Sequence, residues 1–383
     1  MAKKILLAMD SFKGSLSSIE VETALEKGIL KMCPDAVITK VPVADGGEGT
    51  VDAIVAGCQG TFEYADVHDP LGRDISAKYG ISPGGIAVIE MSMASGIMLL
   101  KKEELNPMET STYGTGEMIL DALNPGANEI YIDIGGSATN DGGMGMACAF
   151  GVRFLDAEGK ALPPKAASLA KIHTIDMSGM DSRIMDTKIK ILSDVKNPLC
   201  GPTGASVVFG PQKGADVEMV HQLDESLRHY AQCIKEQLGK DVVDAEGAGA
   251  AGGLGAGLLV FTNAVMSRGI DEVLSIIKLE ALVQGQDLVV TGEGRMDNQT
   301  AFGKTPVGVS AAAKKHGVPT VAVVGSLKLH TDAMFEKGIS LIFDIVNEPM
   351  DLDHAIENAE ELVANAGEQI GRLAQCWTYH GKK

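Results

Sequence analysis

The chain has 383 residues, and its 33 lysines and arginines against 51 aspartates and glutamates give a formal net charge of −18. That balance excludes nucleic acid and anionic membrane as partners, since both select a basic footprint, but leaves a small anionic substrate open. With 45% apolar and 22% charged residues, the composition is that of a globular protein long enough for two or three domains.

The first apolar stretch, Lys4–Met9, reads as a strand. It breaks at Asp10, short of the ~7–15 residues of a secretory leader, and no run approaches the ~20 residues of a bilayer span. A cytoplasmic location is expected, with the six scattered cysteines reduced. An amphipathic helix follows over Ser18–Met32, capped by Ser17 or Ser18 with Glu20 or Glu22 in its first turn. Next come a strand at Val37–Val43 and a short helix at Thr50–Gly57. Between Thr61 and Ile89 the turn signals Asp69-Pro-Leu-Gly72 and Ser82-Pro-Gly-Gly85 predict a hairpin or meander. Strands are expected at Glu129–Ile134 and Thr187–Leu192, and a helix from about Ala215 to Leu238. The apolar rhythm then returns: strands at Asp287–Thr291, Thr320–Gly325 and Leu341–Val346, helices at Val307–His316 and Thr331–Lys337, and a long helix from about Leu352 to Cys376.

Apolar strands alternating with helices imply a parallel sheet covered on both faces. The predicted fold class is therefore α/β. Residues 1–60 and 286–383 form a flavodoxin-like, doubly wound domain, and a mixed α/β domain of residues 61–285 is inserted in it. Two domains in series is the alternative; insertion is favoured because two strands alone make no stable parallel sheet.

Ligands of such sheets bind beyond the carboxyl ends of the strands, where strand order reverses. In a 2-1-3-4-5 order, three loops meet there: Asp10-Ser-Phe-Lys-Gly-Ser15, Ala44-Asp-Gly-Gly-Glu-Gly-Thr50 and Thr291-Gly-Glu-Gly-Arg-Met-Asp297. They gather Lys13, Arg295, carboxylates and free backbone N–H groups, which suits an anionic ligand with a divalent metal. Glycine is abundant, 46 residues, and its clustering at Asp133-Ile-Gly-Gly-Ser-Ala-Thr-Asn-Asp-Gly-Gly143 makes the best anion nest, with Ser137 and Thr139 as added donors. After the strand ending at Leu192, Asp194 stands with Ser193 and Asn197 as a base or a metal ligand.

Two other motifs match by letter alone. Gly247-Ala-Gly-Ala-Ala-Gly252 spells a dinucleotide fingerprint without a convincing strand before it. Gly303-Lys-Thr305 ends like a Walker A loop, but Asn298 occupies the place of its first glycine; Lys304 can still reach a phosphate. No zinc-ligand spacing of histidines and no serine-hydrolase elbow is present. Phosphate cradles, acidic residues and single cations are together the equipment of phosphoryl transfer.

The three loops, the glycine nest, Ser193-Asp-Val-Lys-Asn-Pro198 and Phe209-Gly-Pro-Gln-Lys-Gly-Ala215 resemble, in order and along nearly the whole chain, the bacterial class I glycerate kinases. The resemblance implies ATP-dependent phosphorylation of D-glycerate with Mg²⁺, 2-phosphoglycerate being the favoured product, in a site lying in an inter-domain cleft. By our own assignment, Lys13, Asp194 and Asp297 are catalytic, and Asp10, Ser11, Arg295 and Asn197 bind the substrate. Gly135, Gly136, Ser137, Thr139, Asn140, Lys213 and Lys304 hold the nucleotide phosphates; Asp45, Glu48 and Glu293 hold the metal. A monomer or homodimer is expected. The competing functions are an NAD-dependent hydroxy-acid oxidoreductase and a non-enzymatic solute-binding protein.

Overall fold

The structure is a computed structural model that describes residues 2–297, 300, 303–328 and 332–379, excluding the side chains of 377–379. Among these the strands are, in chain order, β1 (Lys4–Met9), β2 (Val37–Lys40), β3 (Thr61–His68), β4 (Asp74–Ile81), β5 (Ile86–Glu90), β6 (Glu129–Asp133), β7 (Arg153–Leu155), β8 (Thr174–Asp176), β9 (Lys188–Leu192), β10 (Val265–Ser267), β11 (Leu288–Glu293), β12 (Thr320–Val324) and β13 (Ile339–Asp344). Two compact units result: Met1–Asp45, Asp52–Gln59 and Ile270–Lys383 form one, Gly46–Val51 and Gly60–Gly269 the other.

The first unit holds a parallel sheet in the order β13-β12-β11-β1-β2. That is the flavodoxin-like 2-1-3-4-5 arrangement expected from the sequence. β11 and β12 are buried throughout, as are Ile5–Met9 of β1, which is why these strands read as apolar runs rather than alternating ones. The helix Ser18–Met32 starts at a capping box: Ser17 Oγ accepts from Glu20 N–H, and the Glu20 carboxylate accepts from Ser17 N–H at 2.8 Å. Val21, Leu25 and Ile29 form its buried stripe, packed in one cluster with Val363 and Ile370 of the helix Ala359–Tyr379. Each such side chain contributes roughly 1.5–3 kcal/mol by burial.

The sheet's register assembles the site. Met9 pairs with Gly292, and Val43 N–H donates to Met9 O at 2.9 Å, so the segments carrying Asp10, Asp45 and Glu293 finish together on one edge. Several boundaries differ from the sequence reading, with β2 ending at Lys40 rather than Val43 and β13 running Ile339–Asp344 rather than Leu341–Val346. The expected 352–376 helix is two helices, Leu352–Glu357 and Ala359–Tyr379, interrupted at Asn358, whose side-chain amide donates to His354 O. The helix expected from Val307 begins at Thr305, where Pro306 fits the first turn. Asn298 and Thr331, used in the sequence reading, lie outside the described residues.

The second unit holds a mixed sheet, β10-β9-β6-β5-β4-β3. β3, β4 and β5 form the antiparallel meander that the turn signals predicted, and β5, β6, β9 and β10 are parallel. Its ladder aligns Glu90, Asp133 and Leu192, so the glycine nest and the Ser193–Pro198 segment leave the same sheet edge. Not foreseen were the small β7–β8 hairpin, the helix Tyr113–Leu123 and a helix through the glycine run, Ala250–Phe261. The last is interrupted by left-handed Ala251, Gly252 and Gly253. Among the described residues no cysteine is in a disulfide. Among the described residues no helix is long and apolar enough to cross a membrane.

Candidate active site

The edge of the first unit is crowded with carboxylates. Asp10 Oδ2 accepts from Thr305 Oγ1 at 2.7 Å and Oδ1 from Ser11 N–H at 2.7 Å. Burial raises the Asp10 pKa, the carboxylates of Asp45 and Glu293 raise it further, and the two hydrogen bonds oppose them; the result is about 7. Glu293 is 6% exposed, accepts from Thr300 Oγ1 at 2.6 Å and pairs with Lys304 Nζ at 3.0 Å. Its pKa is also raised, again chiefly by burial. Burial works against the Lys304 ammonium, but Glu293, Asp45 and Asp297 together outweigh it and hold its pKa above the usual value.

Around this cluster the predicted cations are open to solvent. Lys13 is exposed at the tip of a tight turn in which Phe12 and Leu16 bridge. Arg295 lies 3.6 Å from Asp297 through Nε with its side chain 67% exposed, so that ion pair is worth little. Glu48 is exposed in the second unit's Gly46–Val51 stretch. Among the described residues no three acidic, histidine or cysteine side chains stand as a ready metal-ligand group, so Asp45, Glu48 and Glu293 are not preassembled as one.

The glycine nest of the second unit is built on different lines. It leaves β6 through Gly135 and Gly136, both exposed, then dives: Ser137 is 7% exposed, and Thr139, Asn140 and Asp141 are sealed. Several segments pin its backbone. Ala138 N–H donates to Ser95 O, Ile97 N–H to Gly136 O, and Gly142 N–H to Gly252 O. Gly252, with φ of +68°, lies so close that a Cβ would stand 1.9 Å from Thr139 O. The Asp141 carboxylate accepts from Thr112 N–H and Oγ1 and from the N–H groups of Gly143 and Gly145, which closes the turn into the helix Met144–Ala149. Lys213 is 1% exposed and donates to Ser137 Oγ and Thr139 O. Asn140 Nδ2 donates to Ser206 Oγ at 3.0 Å, while Asn140 Oδ1 and Thr139 Oγ1 are buried without a partner.

Of the residues assigned to phosphates here, Gly135, Gly136 and the edge of Ser137 reach solvent; Thr139, Asn140 and Lys213 lie beneath them. In the next loop, Asp194 is exposed, and Asn197 spends its amide on Thr203 O at 2.8 Å. Gly247–Gly252 has no strand before it, so the dinucleotide-fingerprint reading loses its structural context; the run is a wedge against Thr139–Gly142 instead. Sequence reasoning missed Thr305, Thr300 and Asp141 as partners of the charged groups. Thr305 stood in the rejected Walker-like triplet, and Asp141 inside the quoted nest.

Hard carboxylate oxygens beside an ammonium, with an anion loop built into another sheet, define the equipment of an α/β phosphotransferase. The family model described as Glycerate kinase family matches residues 5–375. A glycerate kinase of Halalkalibacterium halodurans is 48% identical over 96% of this chain and 97% of its own length. A glycerate 2-kinase of Escherichia coli K12 is 46% identical over 96% of this chain and 97% of its own length. A crystal structure described as glycerate kinase 2 from Salmonella typhimurium LT2 superposes with a TM-score of 0.88 at 43% identity, covering 99% of this chain and 100% of that one. The chain belongs to the glycerate kinase family, and with it to the phosphotransferases.

Proposed function

We propose that the chain transfers the γ-phosphoryl group of ATP to D-glycerate with Mg²⁺, giving 2-phosphoglycerate in the cytoplasm. The observation that carries this reading is the Asp10–Asp45–Glu293 carboxylate group at the switch edge of the first sheet, with Lys304 beside it. A carboxyl titrating near neutrality is suited to take a hydroxyl proton, and Asp10, oriented by Thr305, is that carboxyl. Arg295 offers a planar fork to the glycerate carboxylate, with Ser11 and Asn197 as further polar partners. Lys13, exposed on its turn, neutralises charge on the transferring phosphoryl group, and Asp194 and Asp297 complete the polar set.

The donor set fits a hard dication: only carboxylate oxygens, with Glu293 raised in pKa first by burial and then by its acidic neighbour. Asp45 and Glu293, with Glu48, would hold Mg²⁺, which when bound supplies charge neutralisation to the phosphates. The nest fits phosphate, since its open edge is the backbone of Gly135 and Gly136, with Ser137, 7% exposed, beside them. Residues 1–60 with 286–383, and 61–285, are proposed as the functional domains. The homologous glycerate 2-kinase supports the 2-position. A coupled ADP-release assay over D-glycerate, L-glycerate and other small hydroxy acids tests the reaction, and ³¹P NMR of the product tests the position. No ADP release with D-glycerate would remove the reading; a 3-phosphoglycerate signal would correct the position alone.

A further inference from the structure

Lys213 is a cation in an unusual place. Its ammonium is sealed under the glycine nest and gives 2.7 Å to Ser137 Oγ and 2.6 Å to Thr139 O. Among the described residues no carboxylate pairs with it directly; Asp141, the charge that bears on it, is spent on Thr112, Gly143 and Gly145. A lysine that bound phosphate itself would end at the solvent edge. This one ends at the hydroxyl of Ser137, a residue 7% exposed and next in the chain to the open Gly135 and Gly136. Ser137 Oγ accepts the Lys213 hydrogen bond on its inner side, and its own hydrogen has no acceptor among the described residues.

Resting on the reading that this loop holds the nucleotide phosphates, we infer that Lys213 is a positioning residue acting through Ser137. It fixes the hydroxyl as an acceptor inward, so that its O–H points outward as a donor to phosphate. A charged donor also polarises the hydroxyl, and chained hydrogen bonds in a dry site strengthen one another. The second bond, to Thr139 O, holds the backbone on which Ser137 rides.

The arrangement carries its own titration. Burial lowers the Lys213 pKa to about 7, against the attraction of Asp141. Tyr230 and Cys148, the other titratable groups facing Asp141, are pushed upward by burial and stay neutral there. Once deprotonated, the amine keeps two N–H donors but gains a lone pair that the Ser137 hydrogen can turn inward to meet, and the outward donor is no longer fixed. Phosphate affinity therefore falls as pH rises through about 7.

The test is calorimetric binding of Mg²⁺·ADP to the full chain, with KM and kcat for ATP, in Ser137→Ala, Lys213→Met and the double variant. Each single change weakens binding by about ten- to a hundredfold, the worth of one charge-assisted hydrogen bond. The double variant binds no more than about threefold weaker than the worse single, because both remove the same donor. Fully additive losses would overturn the inference. Should Lys213→Met fail to fold, Ser137→Ala decides alone: its affinity must lose the fall between pH 6 and 8.5 seen in the wild type, and parallel profiles overturn the idea. If wild type binds ADP with this pattern but leaves glycerate unphosphorylated, the substrate reading fails and the inference stands. If Ser137→Ala binds ADP like wild type while glycerate is phosphorylated, the reverse holds.

Discussion

The carboxylate edge of the first unit and the glycine nest of the second are opposites in construction. At the edge, carboxylates are buried or half-buried beside one another, and the cost shows as raised pKa values at Asp10 and Glu293, burial first and like charge second. In the nest a single cation is buried under small residues, and the cost shows as a depressed lysine. The edge stores electrostatic energy that a cation or a proton relieves. The nest carries one buried cation, but its shape is imposed by packing before any ligand arrives. One region is prepared by charge, the other by geometry, and substitutions should separate the two.

The largest effect is expected where geometry rules. Gly252 sits at φ +68° with Thr139 O only 1.9 Å from where a Cβ would be. Gly252→Ala strains that backbone and forces the nest apart, so stability should fall by more than about 4 kcal/mol. Chemical denaturation measures it. A variant as stable as wild type would mean that the wedge does not shape the nest.

At the carboxylate edge the loss should be in rate with the fold intact. Asp10→Asn keeps the shape and the Thr305 contact but removes the base, and kcat should drop about 10²–10⁴-fold. Melting should be unchanged or higher near neutral pH, since a repelled charge is gone. Turnover within a few-fold of wild type would move the proton acceptor to Asp194 or Asp297.

The two regions also predict opposite pH slopes of stability. Glu22, 1% exposed beneath β1, accepts from Met9 N–H; burial pushes its pKa from 4.5 up to about 8. A folded-state pKa above the unfolded one gives stability that is complete below pH 4.5 and lost as pH rises to 8. Lys213 is shifted from 10.5 down to about 7, so its penalty is full below 7 and relieved as pH climbs toward 10.5. Glu22→Gln should therefore flatten the decline between pH 5 and 8 by about 2–4 kcal/mol. Denaturant melts of both proteins across that range check it. Identical slopes would mean that Glu22 is not held as a neutral acid.

The carboxylate edge was legible in the sequence because parallel strands announce themselves as apolar runs, and the loops after them then carry the ligands. Strand order followed from the doubly wound pattern, and Asp10, Asp45 and Glu293 do meet. The nest was legible as a motif but not in its orientation. Nothing in Ser137-Ala-Thr-Asn140 says which hydroxyl faces water; that is set by Gly252, Ser206 and Lys213, which lie between 66 and 113 residues away along the chain. The helix through the glycine run was missed for the same reason. Glycine propensity argues against a helix, and close backbone packing, of Gly252 on Thr139, of Gly253 and Gly257 on Gly142 and Gly143, and of Gly255 on Gly247, explains why no side chain stands at those positions.

The smallest effect expected divides the substrates between the two regions. Arg295 is exposed, its pairing with Asp297 is loose at 3.6 Å, and an exposed pair of that kind gives up its guanidinium at little cost. A carboxylate meets a guanidinium through two parallel hydrogen bonds, and an ammonium cannot reproduce both. Arg295→Lys keeps the charge and loses the fork. If the carboxylate edge reads glycerate while the nest reads nucleotide, the glycerate KM should rise about tenfold, the worth of one hydrogen bond to a charged group, while the ATP KM moves less than about twofold. Steady-state kinetics with each substrate varied in turn measures the split. An equal rise in both constants, or a rise for ATP alone, would place Arg295 on the phosphates and end the division of labour between the two regions.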